Sequence, residues 1–199
     1  VGLYRLDLDE LPETLGALEL TSVAVGYEAA DKMLKKAPVR LLDARPYSPG
    51  KFLILITGGV AAVEEALTEG IKYAGASLFD RLMITQLEPA VVHAINRSAP
   101  VQLGESLGII ETFSAVSAID AANEAVKLVD MQLESVNLLQ GLGGKAYAVL
   151  TGRLSDVESA LQMAMGRIPA DMMVQCRLIS QVSAELLPFL PGRDNHVFS

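Results

Sequence analysis

Two stretches carry residues whose types and spacing could bind a phosphate. They are "RPYSPGKFLILITG", Arg45 to Gly58, and "LQGLGGKAYAVLTG", Leu139 to Gly152. Each is a Gly-containing turn ending in Gly-Lys, followed by an apolar run closed by Thr-Gly. A phosphate loop of the GxxxxGK[ST] kind places its lysine and a hydroxyl at the start of a helix, whose amides face the anion. Here Lys51 is followed by Phe52 and Lys145 by Ala146, and each opens a β-like run. Hydroxyl and helix are both missing, so the spacing argues for a tight connection in which glycine supplies a positive φ and Pro49 fixes its own.

Other chemistry finds less support. His93 and His196 lie far apart and Cys176 stands alone, so no Cys/His pair has zinc spacing. There is no GxSxG elbow and no suitable general base, and Glu64-Glu65 reads as a solvated helix face. The expectation is a protein that is not an enzyme. Cys176 is expected to be a small buried hydrophobe, and His93 to lie on an exposed or half-buried helix face.

The elements that would position these residues form a repeat. Gly16, Glu19, Ser22, Ala29-Ala30 and Lys35 match Gly108, Glu111, Ser114, Ala121-Ala122 and Lys127 at an offset of 92 residues. After the turn the offset is 94: Gly50-Lys51 matches Gly144-Lys145, and Thr57-Gly58 matches Thr151-Gly152. The two-residue shift falls at or just before the turn, where insertions are tolerated. The chain therefore divides into an N-terminal extension (1–15), a first domain (16–103), a second domain (104–190) and a polar tail (191–199), with the seam near 98–105.

Within each copy, "ALELTSVAV" and "IIETFSAV" read as strands, and Tyr27–Ala37 and Ile119–Val129 as helices. Short strands follow at Val39–Leu42 and Met131–Leu133, then the turn, then Phe52–Ile56 and Ala146–Leu150. A second helix sets Val60, Val63, Leu67 and Ile71 on one face, matched by Leu154, Val157, Leu161 and Met165. The pairs Ser117/Asp120 and Ser155/Glu158 read as helix starts. A strand (Asp80 to Leu87, or within Met173 to Ser180) and a short helix close each copy. The order βαββαβ predicts an α+β fold, two tandem ferredoxin-like domains with helices against one sheet.

Composition sets the outer limits. The chain has 199 residues, 51% of them hydrophobic, a net charge of −8, no Trp and 5% aromatic residues. The acidic balance and scarce aromatics count against nucleic-acid binding. No apolar run approaches the roughly 18 residues of a spanning helix, so no membrane partner is expected. No basic region followed by an apolar stretch and a small-residue cleavage site opens the sequence, so the expected location is cytoplasmic. Apolarity this high fits surface buried against other subunits, and equally a tightly packed α/β core.

The paired segments "LELTSVAVGYEAADKMLKKAPVRLL" with "SPGKFLILITGGVAAVEEAL", and "GIIETFSAVSAIDAANEAVK" with "GLGGKAYAVLTGRLSDVESAL", resemble the bacterial microcompartment shell domain. The resemblance runs from Gly16 to about Leu190. It is greatest to the tandem-domain, trimeric type with unpermuted strand order, including the propanediol-utilisation form that carries an iron–sulfur cluster. It implies a structural shell tile: a homotrimeric pseudohexamer that meets other shell proteins edge to edge, can lie against encapsulated enzymes, and has a central pore for small polar metabolites. Lys35 and Lys127 match the family's tile-edge lysine, whereas its edge arginine has no match in "QLEPAV" or "QVSAEL".

The two turns would line the pore, through Tyr47, Ser48, Pro49 and Gly50 and through Gly141, Leu142, Gly143 and Gly144. Tyr47 either narrows the opening or packs beneath its turn. In the cluster-bearing form a Cys precedes Pro-Gly-Lys. Here that position is Ser48, a poor ligand for soft iron, and Cys176 lies on another strand, so no cofactor is expected. Two readings compete: a tandem sensor binding a small ligand between its domains, and a shell redox protein holding a cluster elsewhere.

Overall fold

The computed structural model describes residues 11–96, 104–127, 131–138 and 142–190. The extension up to residue 10, Gly141, His196 and the seam residues 98–103 lie outside the described residues.

The first copy is built from β1 (Leu15–Leu20), α1 (Val23–Lys36), β2 (Arg40–Tyr47), β3 (Lys51–Thr57), α2 (Val60–Ala74), β4 (Leu78–Ile84) and α3 (Pro89–Asn96). The second follows with β5 (Ser106–Thr112), α4 (Ala115–Val126), β6 (Gln132–Asn137), β7 (Ala146–Gly152), α5 (Leu154–Arg167) and β8 (Met173–Ile179). The sheets have equivalent orders, β2-β3-β1-β4 and β6-β7-β5-β8, and every pairing is antiparallel. Each is an α+β sandwich with four strands in the expected βαββαβ order. The register slips between Leu41 and Asp43 in β2, and between Leu133 and Ser135 in β6, so the repeat preserves even a bulge.

Several element ends depart from the sequence reading for local reasons. The strands read through Val25 and Val116 end earlier, because Ser22 and Ser114 cap the helices. Their hydroxyls accept hydrogen bonds from the amides of Val25 (3.4 Å) and Ser117 (3.1 Å). Ser117 therefore lies inside α4 and is not its start, and α5 begins after Arg153, with no Ser155/Glu158 box. Strands β2 and β6 run longer than their apolar stretches because the ladder to β3 and β7 carries them toward the turns. Among the described residues, the second copy closes with a 3-10 turn, Leu187–Phe189, where the first has α3.

Each sheet has two unlike faces. In the first, Leu18, Leu20, Phe52, Ile54 and Ile56 pack against Ala29, Ala30 and Met33 of α1 and Val63, Ala66 and Leu67 of α2. Phe52 meets Tyr27 edge-on at 4.6 Å, and it fits because position 26 is glycine: a Cβ there would stand 2.3 Å from the Phe52 ring. The opposite face, Leu15, Ala17, Leu53 and Leu55, shares one core with α3 and with the second domain's α4. The domains are thus joined through an apolar interior as well as through the chain.

Candidate functional site

The two Gly-Lys turns pack against each other within one chain. A Cβ on Gly144 would lie 2.7 Å from Cδ of Pro49 and 3.5 Å from Cε of Lys51. Gly50, Gly143 and Gly144 take φ of 91°, 62° and 84°, so both turns use the left-handed backbone that glycine allows. Ser48, Pro49 and Gly50 are exposed at the first turn, and Gly143 at the second, while Leu142 is half-buried and Gly144 buried. The Gly50 amide donates to Tyr47 O at 2.8 Å, and the Lys145 amide to Leu142 O at 3.3 Å, so these two donors serve the turns themselves.

Beneath the turns lies a polar cluster that the sequence analysis did not single out, centred on Glu19 of β1. Its side chain is 0% exposed. Oε1 accepts from the Tyr47 hydroxyl and from Lys51 Nζ at 2.7 Å. Oε2 reaches into the second domain, accepting from the Ser114 hydroxyl (2.8 Å) and the amides of Ala115 (2.8 Å) and Val116 (3.3 Å). A buried carboxylate at the N-terminus of α4 satisfies donors that have no intrahelical acceptor and complements the helix dipole. Lys51 Nζ also donates to Phe113 O (2.7 Å) and Gly144 O (3.2 Å), and sits 3.6 Å from the centre of the Phe79 ring. Asp80 adds a second carboxylate, which accepts from the Ser117 hydroxyl at 2.6 Å and shares with Glu19 the single proton of the Ser114 hydroxyl. The recurrence of Glu19 as Glu111 in the repeat was the available signal for this cluster.

Tyr47 is therefore held under its turn by Glu19, which supports the packing alternative. Burial, with the Glu19 carboxylate beside it, pushes its phenol well above the usual range. The two lysines act as structural cations, each held by a carboxylate: Lys51 by Glu19, and Lys145 by Glu111 at 2.7 Å.

The remaining candidates are dispersed. Lys35, in the last turn of α1, pairs with Asp31 at 2.7 Å and is 71% exposed, whereas Lys127 follows α4 and pairs with Glu124 at 2.7 Å. Cys176 is half-buried on β8 beside Ile110, so it is less covered than the small buried hydrophobe expected. Its partial burial still raises the thiol above its ordinary pKa. His93 is half-buried on α3, and Glu64 and Glu65 are exposed on α2. A cleft of about 410 Å³ between the domains is lined by α2, β4, Asp120 and Arg167. Burial raises the Asp120 carboxyl, opposed by the Arg167 guanidinium at 3.3 Å. No helix among the described residues is long and apolar enough to cross a membrane.

Residues 14–87 and 106–182 each match the BMC domain family. The chain is 41% identical over 154 residues to the bacterial microcompartment shell protein PduT of Citrobacter freundii, covering 77% of this chain and 84% of that one. A solved structure of a microcompartments protein from Desulfitobacterium hafniense DCB superposes with a TM-score of 0.75 at 39% identity, over 89% of this chain and 99% of the other. A fused permuted hexameric shell protein of the RMM microcompartment shares the fold, with a TM-score of 0.58 at 23% identity over 77% and 79% of the two chains.

Proposed function

The chain belongs to the BMC domain family, as a tandem-domain bacterial microcompartment shell protein that is structural and not catalytic, and from that premise we propose that three copies close into a pseudohexagonal tile with the paired turns around its axis. One observation carries this reading: two copies of one fold sit side by side in the chain with their Gly-Lys turns in contact. A three-fold repetition of that pair makes a ring of six turns, alternating between the Ser48–Gly50 type and the Leu142–Gly144 type.

In this ring the exposed Ser48 hydroxyls and the glycine backbone form the lining. Tyr47, anchored to Glu19, supports the turn from below. Lys51 and Lys145 are neutralised by their carboxylates, so the lining is polar without a strong charge and suits small polar metabolites. Iron–sulfur chemistry does not fit a turn whose donor is the Ser48 hydroxyl, because cluster iron is held by thiolate. Lys35 and Lys127 are proposed to meet neighbouring tiles of this or other shell proteins.

Sedimentation and electron microscopy test the reading together. A trimer of 21.2 kDa chains has a mass of about 64 kDa and forms flat arrays or tubes on concentration. A strict monomer sinks it. The interdomain cleft beside Arg81, Asp120 and Arg167 favours the ligand-sensor alternative, which requires saturable binding by a chain that forms no arrays. Anaerobic iron and sulfide reconstitution leaves the protein colourless on the present reading, and Ser48→Cys is the matched comparison.

A further inference from the structure

We propose that Glu111 and Lys145 are the open half of an inter-chain helix-capping site, filled by the N-terminus of α1 from a second copy. This rests on the trimer reading and assigns its subunit contact to particular atoms.

The closed version exists within the chain. Glu19 and Lys51 of the first domain grip the N-terminus of α4 through the Ser114 hydroxyl, the Ala115 and Val116 amides and Phe113 O. Every gripping residue has a repeat counterpart. Glu111 stands where Glu19 does, Lys145 where Lys51 does, and the pair is already formed at 2.7 Å. The difference is exposure: the Lys51 and Glu19 side chains are 13% and 0% exposed, whereas those of Lys145 and Glu111 are 39% and 34%. The second domain therefore carries a preformed carboxylate–ammonium pair that, among the described residues, no helix N-terminus covers.

The matching ligand is equally incomplete. Ser22, Val23 and Ala24 of α1 correspond to Ser114, Ala115 and Val116, yet none of the three is buried, whereas all three α4 residues are. No acidic residue lies in the first turn of α1 to answer its amides. Farther along, Tyr27 is 55% exposed where its counterpart Ile119 is 0%, and Leu34 is exposed where Val126 is half-buried. At Ser22–Ala24, Tyr27 and Leu34, α1 thus leaves more open the stripe that α4 covers.

A paired substitution supports the match. Inside the chain, the Ser117 hydroxyl donates to Asp80 at 2.6 Å. At the open site both members change: Val25 replaces Ser117 and Gln175 replaces Asp80, as their register beside Glu111 and Glu19 shows. The donor and the charge disappear together, as expected if these two positions face each other across subunits. In the complete site, Glu111 accepts from the hydroxyl of the partner subunit's Ser22 and the amides of the partner subunit's Val23 and Ala24. Lys145 donates to the carbonyl of the partner subunit's Thr21.

The experiment is sedimentation of the full chain across a dilution series, with circular dichroism as the check on folding. Glu111→Ala is expected to raise the trimer dissociation constant at least about 30-fold, with the chain still folded, and Ser22→Ala to act in the same direction. Glu111→Gln keeps an acceptor oxygen and is expected to lose less. A wild-type trimer left unchanged by Glu111→Ala overturns the inference while leaving the trimer intact. A wild-type monomer overturns the trimer reading itself. If Glu111→Ala fails to fold, cross-linking decides. In a Cys176→Ser background, chains carrying only Gln175→Cys are mixed with chains carrying only Val25→Cys and oxidised. A two-chain species specific to the mixture supports the site, and its absence from a trimeric mixture overturns it.

Discussion

Glu19 and Glu111 occupy the same position in two copies of one fold, each salt-bridged to the lysine after a Gly-rich turn at 2.7 Å. Glu19 is sealed between domains and satisfied by two hydroxyls, one ammonium and two amides, whereas Glu111 remains partly in solvent. The same chemistry therefore has different energetic standing in the two places. A sealed carboxylate that loses a partner leaves uncompensated charge, while an exposed one is rehydrated. Fold repetition supplies equivalent groups, and the covalent link decides which copy of the contact is completed within the chain.

The comparison breaks most sharply at Glu19. Glu19→Ala removes the acceptor shared by Tyr47, Lys51 and the start of α4, and should destabilise the single chain by about 3–5 kcal/mol. Glu111→Ala, at protein concentrations low enough to keep chains separate, should cost no more than about 1 kcal/mol. Urea unfolding of the two variants reads the contrast directly, and equal losses would contradict it.

A smaller effect is expected at Gly26, where an added methyl would crowd the Phe52 ring at 2.3 Å. Gly26→Ala should cost about 1–3 kcal/mol by overpacking. The second domain has Ala118 and Ala146 at these two places. Gly26→Ala should accordingly become neutral or stabilising in a Phe52→Ala background, and a double-mutant unfolding cycle measures that reversal.

Alkaline pH sharpens the contrast at the turns. The folded Tyr47 phenol has its pKa raised by burial and by Glu19, so it keeps its proton where the unfolded chain begins to lose one. Its contribution is complete below the unfolded value of about 10 and declines as pH rises beyond it. Tyr47→Phe should flatten the alkaline limb of a stability–pH curve. Gly141 holds the matching sequence position, so no change in the second turn can have this effect.

The smallest stability effects belong to Lys35 and Lys127. Replacing either by Ala should change unfolding by about 0.5 kcal/mol or less, since each makes a local helix ion pair. Array formation seen by electron microscopy should nonetheless suffer if these lysines join tiles. Normal arrays in both variants would remove them from the edge.

Much of the architecture was legible because periodicity and repetition report on the backbone. The offset of Gly16 to Gly108 and of Gly50-Lys51 to Gly144-Lys145 locates both domains and both turns. Element ends were less visible: the apolar run through Val25 hides a helix start that Ser22 sets with one hydroxyl. Helix α3 and the 3-10 turn at Leu187–Phe189 illustrate a second limit, because equivalent segments follow different local sequences once one of them is packed between domains. The site was half legible. The glycines and lysines of the turns announce themselves, but a lone Glu in an apolar strand becomes informative only when tertiary packing shows what it accepts. Lys35 and Lys127 match in sequence while their surroundings differ, which spacing cannot report.

The packing of Gly144 against Pro49 has an evolutionary consequence. A ring of identical single-domain chains must change all its turns at once when one codon mutates, so every new group appears six-fold. Joining two copies in one chain separates the turns genetically while keeping them neighbours. In the proposed ring, a change at Ser48 occurs three times and leaves Leu142 and Gly143 untouched. Such a ring can explore odd-numbered sets of groups, three hydroxyls or three thiols, that a six-fold ring cannot reach by a single substitution.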